Sequence, residues 1–90
     1  MAFADSKLNI PGDDLGPESK AEDLYRMGLI YSTGCGVETD YVLAHKYFNL
    51  AALRGYQDAK VSRKEISEYM SSQEIADAQK AAREWLKLAH

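Results

Sequence analysis

The sequence predicts an all-α domain of two antiparallel helix hairpins stacked on each other, and three patterns predict it. First, apolar residues recur at helical spacing on both sides of a glycine-rich turn at 34–36. Second, a weaker copy of this plan follows, because placing Ala59 on Ala21 also places Tyr69 on Tyr31. Third, the last segment has one apolar and one charged face, as the outer helix of a stacked helical array does.

The composition is that of an ordinary globular domain. Hydrophobic residues make up 46% and charged residues 28% of the 90 positions, which is enough for one small core. The net charge of −3 gives no general reason to bind nucleic acid or an anionic membrane. No apolar run approaches the length of about 18 residues that spans a bilayer. The start of the chain does not read as a signal peptide, so we expect a cytoplasmic protein.

Residues 1–18 are predicted to form a flexible leader ahead of a folded domain at 19–90. The leader contains prolines, glycines and acidic residues, a mixture that forms turns and buries poorly. The alternative is that its apolar residues Phe3, Leu8 and Ile10 dock on the folded part or on a partner.

The first helix is predicted to begin with a capping box at Ser19–Glu22. Residues at helical spacing form one of its faces: Leu24, Met27, Gly28 and Tyr31. A glycine inside a helix costs about 1 kcal/mol relative to alanine. Gly28 therefore predicts that a second helix approaches closely at this point.

The second helix follows a turn in which Gly34 and Gly36 allow the backbone to become left-handed. Thr39 or Asp40 is expected to cap this helix, and Gly55 to end it. Its apolar stripe consists of Tyr41, Ala44, Tyr47, Phe48, Ala51 and Ala52. The two helices form an antiparallel hairpin, which we take as a first repeat at 19–57.

The second half, 58–90, is predicted to be a degenerate second repeat that ends in a capping helix. Its turn contains another capping box, Ser71–Glu74. The last helix has an apolar stripe of Ile75, Ala78, Ala82, Trp85, Leu86 and Ala89. The opposite, wet face carries Asp77, Lys80, Glu84 and Lys87. A period in the thirties is typical of helical repeat arrays.

One complete unit, about 21–59, resembles a Sel-one-like repeat, a family related to the tetratricopeptide (TPR) repeats. The resemblance depends on Leu24-Tyr-Arg-Met-Gly-Leu-Ile-Tyr31, Gly34-Cys-Gly-Val37, Asp40, Ala44, Tyr47-Phe48, Ala51-Ala52 and Gly55. Residues 59–90 resemble a second repeat only in helix lengths and in the pattern of small residues. The resemblance implies a short TPR-like α-solenoid that acts as an adaptor, binding proteins or peptides in bacterial signalling and in protein quality control.

A partner-binding surface is predicted at Tyr25, Arg26 and Leu29 together with Arg63 and Lys64. In stacked helix pairs the first helix of each pair lines the concave surface, where ligands usually dock. Tyrosine and arginine are the usual anchors of protein interfaces. The alternative is that Tyr25 and Leu29 pack on the third helix.

The sequence shows no catalytic, metal-binding or cofactor motif, so we expect a non-enzymatic chain without a cofactor. It has no P-loop, no His-Glu-X-X-His motif and no cysteine–histidine zinc spacing. A nucleophilic pair of Cys35 and His45 is conceivable, since a thiol needs a nearby base. However, Cys35 lies in a turn, and His45 is predicted on the polar, solvated side of its helix.

Three functions therefore stay open. The first is an adaptor that binds a protein or peptide on the first-helix surface. The second is a self-assembling structural module; two repeats are fewer than the three or so that such arrays need, which favours a homodimer. The third is a small hydrolase or β-lactam-binding protein like some secreted family members. Those members are disulfide-rich, whereas this chain has a single cysteine, Cys35.

Overall fold

The computed structural model describes residues 15–16 and 18–88, and this part of the chain is entirely helical. It contains α1 (Ala21–Thr33), α2 (Tyr41–Leu53), α3 (Gln57–Ser67) and α4 (Ser72–Leu88). The predicted all-α class is confirmed, and the helix contacts are consistent with stacked hairpins. None of the described helices is long and apolar enough to cross a membrane. Phe3, Leu8 and Ile10 of the predicted leader lie outside the described residues.

Helix α2 is the centre of the packing. Helices α1, α3 and α4 each pack on it, whereas α3 and α4 contact each other much less. The buried residues of α2 consequently extend around much of the helix: Ala44, His45, Tyr47, Phe48, Leu50, Ala51 and Ala52. A helix that is apolar on several sides is normally covered by neighbours on those sides. Here three neighbouring helices provide that cover.

Helices α1 and α2 approach most closely at Gly28. A Cβ atom at this position would lie 2.4 Å from Cδ1 of Phe48, whose ring is almost completely buried. The close approach predicted from this glycine is therefore confirmed. Leu24 is fully buried near one end of α1, and Tyr31 stacks on Tyr47 at 6.0 Å between ring centroids near the other.

The turn between α1 and α2 has the predicted left-handed glycine and a side-chain cap. Gly34 has φ of 72° and its N–H donates to the carbonyl of Ile30, which ends α1. Asp40 caps α2, since its Oδ1 accepts a hydrogen bond from the Leu43 N–H at 3.0 Å. Of the two predicted capping residues, the structure thus selects Asp40.

The capping box predicted at the start of α4 is confirmed. The Glu74 N–H donates to Ser71 Oγ at 3.1 Å, and the Ser71 N–H donates to Glu74 Oε1 at 2.8 Å. Ala78 and Ala82 are buried towards α2, while Lys80 and Lys87 are exposed. The amphipathic character predicted for this helix is therefore also confirmed; Ala89, the last residue of the stripe, lies outside the described residues.

The capping box predicted at the start of α1 is wrong. The N-cap is Lys20, which makes no side-chain capping hydrogen bond. Because the helix begins at Ala21, Ser19 lies one residue before the cap. Its hydroxyl accepts a hydrogen bond from the Gly16 N–H at 2.8 Å instead. Leu15, beside this turn, packs against the core.

Candidate functional site

Tyr25 of the predicted partner-binding surface is part of the packing. Its ring lies 5.5 Å from that of Phe48 and 4.9 Å from that of Tyr56, between centroids. Its hydroxyl is 3.3 Å from Ser62 Oγ on α3. Tyr25 thus joins α1 to the first half of α3, as in the alternative interpretation of this residue.

Arg26 and Leu29 lie on the outer side of α1. Arg26 is exposed and pairs with Asp23 at 3.1 Å, one turn earlier in the same helix. Exposed pairs of this kind contribute about 0–1 kcal/mol to stability. Leu29 is 38% exposed, so part of its side chain is free to contact another molecule.

Arg63 and Lys64 line a groove of about 590 Å³ between α3 and α4, which we call the α3–α4 groove. Its floor is provided by α2. The lining residues are His45 and Asn49 of α2, Lys60, Arg63, Lys64 and Ser67 of α3, and Ile75 and Gln79 of α4. Since Ser62 faces Tyr25 while Arg63 faces Asn49, the predicted surface is divided between two sides of α3.

The groove exists because one face of α3 is polar along its whole length. Lys60, Arg63, Lys64 and Ser67 recur at the spacing that places side chains on one side of a helix. Ala59 and Ile66 are buried on the side that packs towards the core. Charged side chains keep their ends in water, so this face of α3 cannot close on α4 as an apolar face would.

Arg63 is held in place at the floor of the groove. Its Nη1 donates to Asn49 Oδ1 at 2.6 Å, and its carbonyl accepts from Ser67 Oγ at 2.7 Å. No aspartate or glutamate is among the lining residues. Within the described part of the chain, Lys60, Arg63 and Lys64 make no ion pair with a carboxylate. The groove therefore carries uncompensated positive charge.

His45 is buried, in contrast to the solvated position predicted for it. The side chain is 3% exposed, and its Nδ1 has no hydrogen-bond partner among the described residues. Burial and, to a smaller extent, the nearby charge of Arg63 lower the pKa of His45 below its usual value. The imidazole is therefore neutral at pH 7. An unsatisfied polar atom in such a place costs about 1–3 kcal/mol.

The sequence pattern predicts a solvated His45 because it assigns α2 a single apolar stripe. In the structure, side chains on several sides of α2 are covered, because α3 and α4 both pack on this helix. The available signal was Leu50, an apolar residue outside the predicted stripe that is also buried. With that residue included, α2 is apolar on more than one side, which indicates a helix surrounded by others.

The groove offers hydrogen bonding and positive charge. Cys35 is exposed in the turn between α1 and α2, whereas His45 is buried beneath α3 and α4. Among the described residues, no group of three or more histidine, cysteine, aspartate or glutamate side chains could hold a metal ion. Chemically, the groove can offer hydrogen bonds and positive charge to a polar or anionic group.

Comparison with protein families, with curated proteins and with solved structures gives no match to this chain. The resemblance to Sel-one-like repeats therefore depends on the residues of 21–59 alone and stays a prediction.

Proposed function

We propose that this chain is a non-enzymatic interaction module that binds a segment of another protein in the α3–α4 groove. The observation that carries this proposal is the opening between the two helices, which leaves about 590 Å³ above α2. Sites that bind small ligands and side chains typically have volumes of about 300–1,000 Å³. The floor belongs to the most buried helix of the domain, so the site is built on a rigid base.

Two further arguments support this role. The resemblance of 21–59 to a Sel-one-like repeat implies an adaptor in a TPR-like α-solenoid, of the kind that acts in bacterial signalling and in protein quality control. In addition, His45 Nδ1 has no hydrogen-bond partner among the described residues, so it does not contact the Cys35 thiol. In this proposal Arg63 and Lys64 contact the partner, and Tyr25 packs α1 against α3. Arg26 and Leu29 lie outside the groove.

The experiment is a selection of displayed random peptides on the whole chain, followed by affinity measurements on two variants. Gln79→Trp places an indole in the groove, and Gln73→Trp makes the same change at another exposed position of α4 that does not line it. Selected peptides should bind Gln79→Trp about tenfold more weakly than the wild type, because the ring occupies their site. Their affinity for Gln73→Trp should be unchanged.

The proposal fails if no peptide is enriched over an unrelated helical protein. It also fails if the selected peptides bind Gln79→Trp as tightly as the wild type. In the latter case, loss of binding in a Leu29→Ser variant would place the site on the outer side of α1. Circular dichroism spectra of the variants confirm that each retains its helices.

A second candidate function, self-assembly, is favoured by large apolar residues on the surface. Leu53 is 64%, Tyr69 74% and Leu88 86% exposed. They lie apart, since Tyr69 stacks on Tyr41 at the start of α2 whereas Leu53 ends that helix, so each offers a separate apolar surface whose burial against a second copy is favourable. Sedimentation equilibrium from low to high micromolar concentration should then show a homodimer that Leu53→Ser weakens. A monomer over the whole range would contradict self-assembly and leave the peptide-binding role.

A further inference from the structure

The charge of the α3–α4 groove is opposite to that of the whole chain. The chain has a net charge of −3, yet the charged residues that line the groove are all cations, Lys60, Arg63 and Lys64. None of these is neutralised by a described carboxylate. A concave site that concentrates one sign of charge attracts ligands of the other sign and orients them as they approach.

The floor of the groove supplies a second, independent observation. His45 is almost completely buried there, and its Nδ1 has no hydrogen-bond partner among the described residues. Beside it, Asn49 uses its carbonyl oxygen to hold Arg63. Buried polar atoms of folded proteins usually have a partner, which can be a protein group, a water molecule or a bound ligand.

We propose that the α3–α4 groove recognises acidic peptides, with a side-chain carboxylate placed between Lys60, Lys64 and the fixed guanidinium of Arg63. This inference rests on the proposed function and specifies the chemistry of the partner. The guanidinium suits a carboxylate, because its planar N–H groups match the two oxygens. Ile75, on the α4 side, adds an apolar contact for a neighbouring side chain of the peptide.

A peptide fits these observations better than a nucleic acid does. Binding to a nucleic acid backbone normally uses an extended basic surface that contacts many phosphates. Here the cations occupy a single face of α3 within two helical turns, and the remainder of the chain is acidic on balance. The groove thus offers room for one or two anionic groups.

The test uses the full chain, labelled with ¹⁵N and titrated with a short peptide of alternating glutamate and alanine at about 0.15 M salt, where the Debye length is about 8 Å. A peptide with glutamine in place of each glutamate is the neutral control, and a single-stranded oligonucleotide is the competing class. We expect the glutamate peptide to shift the amide signals of Arg63, Lys64 and Gln79. The glutamine peptide should leave them unchanged.

Two charge-matched double variants show whether the groove is responsible. Lys60→Gln with Lys64→Gln removes two groove cations, and Lys80→Gln with Lys87→Gln removes two exposed cations of α4 outside it. The first should weaken binding of the glutamate peptide about fivefold or more, because two direct charge contacts are lost. The second should change affinity by about twofold at most, since distant charges are screened.

The inference is overturned if the glutamate peptide shifts no groove signal. It is also overturned if both double variants lose affinity equally, or if the oligonucleotide binds the same residues more tightly. These failures differ from a failure of the proposed function. Suppose that neutral peptides are selected on the chain and that Gln79→Trp abolishes their binding. The groove then stays a peptide site, and only its acidic specificity is refuted.

Discussion

Gly28 is the position at which the addition of one carbon should disturb the domain most clearly. Alanine favours a helix over glycine by about 1 kcal/mol. However, the new Cβ would lie 2.4 Å from two atoms of the Phe48 ring, which is almost completely buried. We expect Gly28→Ala to lower the free energy of unfolding by about 1–3 kcal/mol, the usual cost of overpacking. Urea unfolding followed by circular dichroism measures this.

The control for Gly28→Ala is the same substitution in a variant that has a smaller side chain at position 48. In a Phe48→Leu background the clash is relieved, so the same Gly28→Ala change should cost less or even stabilise the protein. The double-mutant cycle isolates the contact between the two residues. An alanine that stabilises the wild-type domain would contradict the close approach of α1 and α2.

His45 should make stability depend on pH. Its pKa is lowered in the folded state, mainly by burial and further by Arg63, while Lys60 and Lys64 line the same groove and no acidic residue does. Above the usual histidine pKa of about 6.5 the side chain is neutral in both the folded and the unfolded chain. As pH falls below that value, the unfolded chain takes up a proton first, so the folded state loses stability.

The measurement is the urea midpoint at a series of pH values from 8 to 5, compared between the wild type and His45→Gln. The wild type should lose more stability over this range than the variant, which has no group that titrates at this position. Subtracting the stability of the variant from that of the wild type at each pH removes the contribution of the carboxylates, because both proteins contain the same ones. Parallel curves would show that His45 is accessible to solvent and protonates freely in the folded state.

At the level of single residues, the sequence was sufficient where a local rule applies. Gly28 indicated a close helix contact, because a glycine is costly inside a helix, and Thr39 or Asp40 was predicted as a helix cap, of which the structure selects Asp40. His45 could not be placed in this way, since its burial depends on two helices that follow it in the chain. The groove residues Arg63 and Lys64 were selected for their charge, but their grouping with Tyr25 assumed a different side of α3.

The capping box of α4 is the element-scale feature whose loss is easiest to measure. Ser71 Oγ accepts a hydrogen bond from the Glu74 N–H at 3.1 Å and so satisfies one free amide of the first turn. Ser71→Ala should lower the free energy of unfolding by about 0.5–2 kcal/mol. The neighbouring exposed residue Ser72 is the matched control, and Ser72→Ala should have little effect because alanine favours the helix. Equal losses in the two variants would contradict the cap.

The two Ser-X-X-Glu patterns of this chain show what a local pattern cannot predict. At Ser71 the pattern forms a capping box, whereas at Ser19 the hydroxyl binds Gly16 and α1 begins one residue later. Both are good matches in sequence. The difference arises from the turn before α1, where another backbone N–H competes for the serine oxygen.

The opening between α3 and α4 also could not be predicted from the sequence. The periodicity predicted both helices and the turn that joins them, and the structure confirms both helices. Their separation depends on how each packs on α2, and the charged face of α3 prevents closure between them. A period in the sequence determines which face of a helix is apolar, but not how far that helix lies from the next one.

At the scale of the whole molecule, the central position of α2 makes the domain a single cooperative unit. Stacked repeats normally unfold in steps when neighbouring units contact each other weakly. Here α1, α3 and α4 all pack on the same helix, so loss of α2 removes the partner of each. Leu50, which is 1% exposed, lies in this helix. We therefore expect the second hairpin to unfold together with the first.

Trp85 allows this expectation to be tested, because it is the only tryptophan of the chain and lies on α4, where Arg54 packs over its ring at 5.8 Å. Its fluorescence reports on α4 alone, whereas circular dichroism reports on all helices. The two urea transitions should coincide, as two-state unfolding requires. Leu50→Ala should shift both midpoints downwards together and cost about 2–5 kcal/mol. A fluorescence transition that precedes the loss of helicity would show that α4 detaches first, and the domain would then behave as a stack of separate units.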